Sequence, residues 1–206
     1  MPETTPEYHN LCYSLATAKL FIRDFPDTTI RNELDEMRLK SYIFLCHAAI
    51  EEYLEKATSE ALRRARQLLR SQRQIPKISI SAISHYQIRA KENWATIMSR
   101  TESVDALGSL LDLAIREHSQ AVYENHGIKT KDQDNLCLPL GIRVHDLDRI
   151  LSQNLNSFGE GRGKIAHEFQ IRQIVPKAGC LQSVNTLSTL LLNLDNEIAR
   201  VVGEFW

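Results

Sequence analysis

Residues 30–70 contain no glycine and no proline, and Leu34, Met37, Ser41, Leu45, Ala49, Tyr53, Ala57, Ala61, Ala65 and Leu68 recur at steps of three and four. That period marks one face of an α-helix, so the stretch predicts a single long helix. Its middle, residues 42–50, is apolar nearly all round. Such a segment implies a central helix buried on several sides. Its last part, residues 63–73, is rich in arginine. That run reads as a solvated helix end whose charge opposes the dipole, with phosphate binding as the lesser alternative.

The remaining segments read as further helices. Leu11, Leu15, Ala18 and Ile22 mark one over 6–24, stopped by Pro26 and followed by the cap cluster Asp27-Thr28-Thr29. Residues 74–84, with Pro76, Ile78, Ile80 and Ile83, read as an extended connector. A helix is expected over 85–99 around Tyr86, Trp94 and Ile97. Another over 104–125 is stopped by Gly127. Residues 129–141 read as a loop, and 143–156 as a helix on Val144, Leu147, Leu151 and Leu155. A turn at 177–180 precedes a last helix marked by Val184, Leu187, Leu191, Leu194, Ile198 and Val201. The expected fold is an all-α bundle, a single domain over 1–206, with 71–103 as a helical or extended insertion.

The totals exclude several functions. A formal net charge of -1 gives no global basic field, so any nucleic-acid contact needs a local patch. Cys12, Cys46, Cys137 and Cys180 are far apart and form no CxxC pair, which argues against zinc, a redox motif and a disulfide framework. Reduced thiols fit a cytoplasmic setting. The first residues do not read as a secretory leader, and no apolar run is long enough to span a bilayer, so no membrane is expected. There is no Walker loop, GxGxxG or GxSxG. His47 and Glu51, four apart, have a spacing that can hold a metal, but no second His/Glu pair accompanies them. Neither a metal nor a cofactor is expected.

Chemistry concentrates in Gly159-Glu160-Gly161-Arg162-Gly163-Lys164-Ile165-Ala166-His167. Three glycines predict a flexible turn, with a new helix starting near Gly163 and running to 171 or 175. Arg162 would then sit at a helix N-terminus, where free N–H groups favour an anion. The plainer reading is a loop with solvated charges. An imidazole can take a proton from a ribose 2′-hydroxyl or give one to a leaving oxygen. A guanidinium can hold phosphate as charge builds on it. Together Arg162 and His167 suffice for RNA cleavage without a metal. One histidine serves poorly as both acid and base, which a symmetric dimer with two Arg-His pairs in one cleft resolves.

With Arg162 and His167 separated by four residues, and with Ala48-Ala49-Ile50-Glu51-Glu52-Tyr53-Leu54 on the long helix, the chain resembles the HEPN superfamily, specifically its RiboL-PSP type. That resemblance implies an endoribonuclease of a prokaryotic toxin or defence system, acting on RNA as a homodimer, with a possible antitoxin or other defence-system partner protein. It implies catalytic roles for Arg162 and His167 and a supporting one for Glu51. Lys164 and His47 are the candidate substrate-binding residues. The residue after the motif arginine is usually Asn, Asp or His in that superfamily, and here it is Gly163. This departure favours a first rival, a non-catalytic module that binds RNA or nucleotide or forms the regulated half of a pair. A second rival is a helical scaffold in which Arg162 and His167 are structural.

Overall fold

A computed structural model describes residues 4–24, 32–87, 103–167 and 176–205. Helix α1 spans Pro6–Ala18 and tightens into a 3-10 turn at Lys19–Ile22. Helix α2 is Glu33–Gln72, 40 residues long, and extends about 60 Å at 1.5 Å per residue. Then follow α3 (Lys77–His85), α4 (Ser103–Tyr123), α5 (Thr130–Cys137) with a 3-10 turn at Leu138–Leu140, α6 (Val144–Leu147), α7 (Arg149–His167) and α8 (Lys177–Val202). The described residues contain no strand, only an isolated bridge between Pro76 and Phe205. No described helix is long and apolar enough to cross a membrane.

The expected long helix exists and is central, since α1, α4, α7 and α8 all pack on it. Asn32 caps it by accepting from the Asp35 N–H at 2.9 Å, with Glu33, Asp35 and Glu36 in the first turn. Tyr42, Cys46, Ile50, Tyr53, Leu54, Leu62 and Leu69 supply much of the core, met by Leu187, Leu191 and Leu194 of α8. One flank stays uncovered: Leu34, Met37 and Leu45 are exposed, the methionine by 61%.

Buried polar groups fasten the outer helices. Asp195 on α8 is fully buried and accepts from the Thr5 N–H at 2.9 Å, the Thr5 hydroxyl at 2.5 Å and the Tyr53 hydroxyl at 3.1 Å. One carboxylate thus joins the cap of α1 to α2 and α8. Arg66 holds α4 with a forked pair to Asp112 at 2.7 and 2.9 Å. His118 on α4 is 1% exposed, with Nε2 3.1 Å from the Thr58 hydroxyl and Nδ1 3.0 Å from the Tyr86 hydroxyl. Thr58 already donates to the Leu54 carbonyl, so Nε2 donates and Nδ1 accepts from Tyr86. Burial, helped by His85, pushes the His118 imidazole down to about 4.

Several boundaries differ from the sequence reading. The connector at 74–84 is largely helix α3. Pro76 is its N-cap, a position where the missing N–H costs nothing, and Ile78 and Ala82 face inward one turn apart. The loop at 129–141 contains α5, whose polar look hides a buried side of Gln133, Leu136 and Cys137. The turn at 177–180 is instead the first turn of α8. The helix over 143–156 is broken at Asp148, whose carboxylate caps α7 through the Leu151 N–H at 3.0 Å. Most of the helix expected over 85–99 and the extension to 171 or 175 lie outside the described residues.

Candidate functional site

The glycine segment is not a turn. Helix α7 runs unbroken from Arg149 to His167, and Gly159, Gly161 and Gly163 all lie inside it. Glycine costs a helix interior about 1 kcal/mol against alanine. Packing outweighs that cost: Leu151, Leu155 and Gly159, four apart, face inward and carry the apolar side of α7 through the segment. Arg162 therefore sits well inside a helix, not at its start. It is far from the free N–H groups of the N-terminus at Arg149, so phosphate affinity must come from side chains.

Helices α2 and α7 pair antiparallel at this point. Phe44 lies under Arg162, whose Cζ is 5.5 Å from the ring centroid. One turn along, the His47 ring stacks on Phe158 with centroids 6.4 Å apart and planes 16° apart. His47 Nδ1 then faces Glu51 Oε2 at 3.4 Å. Phe44, His47 and Glu51 share one face of α2, and Phe158 and Arg162 one face of α7. His47 is buried, while Arg162 is half-buried. The Arg162 Nε is enclosed yet has no hydrogen-bond partner among the described residues. A desolvated guanidinium donor without an acceptor favours an incoming anion.

The predicted residues thus divide. Arg162, His47 and Glu51 lie on the facing sides of one helix pair, with Glu51 turned to His47 rather than to Arg162. The described part of α7 reaches His167. Its side chain lies outside the described set, as does everything from 168 to 175. Lys164 is exposed, and two helical steps place it about 160° round the axis from Arg162 but only about 60° from His167.

Beyond Glu51, α2 offers Glu55, which accepts from Asn125 Nδ2 at 2.8 Å. Burial holds the Glu55 carboxyl above its ordinary value, opposed by that bond and reinforced by the charges of Glu51 and Glu52. The loop between α4 and α5 closes this end, since Asn125 also donates to the Gly127 carbonyl at 3.2 Å. Phe44, Phe158, Glu55 and Asn125 were not singled out from the sequence. The first three continue the helical period of residues already chosen. Asn125 carried no signal, because its partner is distant in the chain. The buried thiols are packing groups: burial pushes Cys46 and Cys137 up to about 12. Among the described residues no cluster of three potential metal ligands occurs.

A family model, RiboL-PSP-HEPN, matches residues 8–200. The chain belongs to the RiboL-PSP-HEPN family. The match spans every described helix from α1 to α8 almost completely, so the all-α architecture is that of a HEPN domain. Membership supports an RNA-related or nuclease module in general. No curated protein and no solved structure matches the chain.

Proposed function

We propose that this HEPN protein is a metal-independent endoribonuclease of a prokaryotic toxin or defence system, active as a homodimer in the cytoplasm and held in check by an antitoxin or other partner protein. Arg162 binds the scissile phosphate, His167 moves the proton, and the ribose 2′-oxygen attacks to leave a 2′,3′-cyclic phosphate. Glu51 supports the site through His47, and Lys164 meets the strand on the His167 side.

The observation that carries this reading is the half-buried Arg162, braced on Phe44 with an Nε unpartnered among the described residues, five residues before His167 on the same helix in a HEPN chain. Five residues on a helix are about 140° round and about 7.5 Å along. Arg162 and His167 of one α7 therefore address different flanks. A two-fold partner that brings its own α7 alongside supplies the complementary group to each flank. Met37, Ser41, Phe44 and Ala48, at successive four- and three-residue steps on α2, form a largely open stripe ending at the Arg162 edge, a surface suited to such a partner. RNA incubated with the protein in EDTA should be cut. His167→Ala should abolish the cutting, and Arg162→Ala should slow it by about 100-fold or more. Equal activity in the His167 variant contradicts the reading.

A second reading, an RNA-binding module without catalysis, draws support from Gly163, which offers no side chain where the superfamily usually carries a polar one. Tight RNA binding without products selects it.

A further inference from the structure

Gly159 is buried inside α7, and its neighbourhood shows why a side chain is missing there. A Cβ at Gly159 would lie 3.2 Å from Lys129 Cγ, 3.8 Å from Lys129 Cε and 3.4 Å from Ile128 Cγ1. The Lys129 stem therefore lies across the bare helix backbone at this point. Lys129 comes from another part of the chain, at the N-cap of α5. Its position is fixed by buried Ile128 and by its own N–H, which donates to Asp132 Oδ2 at 2.9 Å. The residue is exposed, and no carboxylate pairs with its ammonium among the described residues.

Residues three apart on a helix are neighbours, with Cβ positions about 5–6 Å apart. Gly159 and Arg162 have that relation. The stem laid over Gly159 thus crosses α7 at the helical neighbour of Arg162, which brings a cation from a distant part of the sequence to the same stretch of helix. Successive phosphates of a single strand are spaced on this scale, and a lysine is a flexible point charge suited to one of them.

We propose that Lys129 is a substrate-binding residue of the Arg162 site, holding the RNA phosphate next to the one that Arg162 holds, with Gly159 kept bare to let its stem pass. This rests on the endoribonuclease reading and adds a second phosphate subsite to it. The stem, not only the charge, matters, so moving it should resemble removing it.

The test uses the full-length protein and a single-stranded oligonucleotide with 2′-O-methyl sugars, which presents RNA phosphates but no nucleophile. Its dissociation constant is measured against potassium chloride concentration. Lys129→Met should weaken binding several-fold at low salt and reduce the slope of log affinity against log salt by about 0.7, the value of one contact on a single strand. Gly159→Ala should lower the slope in the same direction, while Lys131→Met, two residues away on α5, should leave it unchanged. Wild-type binding with an unaltered slope in Lys129→Met overturns the second subsite and leaves the ribonuclease reading standing. A wild-type protein that neither binds this strand nor cuts RNA overturns both.

Discussion

Gly161 has no heavy atom within 4 Å of where a Cβ would stand, and its φ is not positive. Alanine there enters open space inside a helix, so Gly161→Ala should stabilise the fold by up to about 1 kcal/mol. Thermal melting should show a rise of about 2–4 °C, and an unchanged or lower midpoint would contradict the placement of this residue in α7. Gly159 differs because the Lys129 stem occupies its free side. Of the three glycines, alike in sequence, Gly161 and Gly163 face open space and only Gly159 is crowded. In the proposed role Arg162 would act through its planar head as well as its charge. Arg162→Lys keeps the charge but gives up the face laid on Phe44 and the forked grip on phosphate. It should retain RNA binding while losing most of the cleavage rate, measured as kcat in a single-substrate assay.

Two predictions belong to the helices. His118 joins α4 to α2 through Thr58 and to Tyr86 beyond the end of α3, and is held neutral by burial. Its folded value of about 4 lies below its ordinary 6.5, so the unfolded chain binds the proton more readily. The stability this provides is fully present above about pH 6.5 and is lost as pH falls towards 4, by about 3 kcal/mol at most. Urea melts across that range should show a steeper loss for wild type than for His118→Gln. Asp195→Ala removes the acceptor for Thr5 and Tyr53 and leaves a buried phenol unpaired. A loss of about 3 kcal/mol is expected in the same assay.

The same scale shows what the sequence made legible. Long apolar periods located α1, α2, α4 and α8, because burial of one stripe decides those helices. Helix α5 was missed because Gln133, bonded to Ser152 and to the Ile128 carbonyl, looks like a surface residue. The run Ile78, Ile80, Ile83 concealed α3 because three isoleucines satisfy two periods. The continuity of α7 was missed because local propensity favours a turn at its glycines, whereas contact with α2 holds the helix together. At the site, Arg162, His47 and Glu51 could be named from residue type. Their pairing with Phe44 and Phe158 depends on the register between α2 and α7, which a single sequence does not encode locally.

For the molecule as a whole, the open stripe on α2 is the feature that a lone protomer leaves unexplained. If a second copy covers it, Met37→Glu with Ala48→Glu should give a monomer by light scattering and lose RNA cleavage while keeping its helical spectrum. A variant that remains dimeric and active would place the interface elsewhere. The proposed ribonuclease activity turns on one chemical claim, that the ribose of the substrate supplies the nucleophile. The most direct measurement is end-group analysis of RNA cut in the presence of EDTA. The account predicts 2′,3′-cyclic phosphate and 5′-hydroxyl ends, and no cutting at a bond whose preceding ribose is 2′-O-methylated. Products with 5′-phosphate ends, or cleavage of the methylated bond, would contradict it.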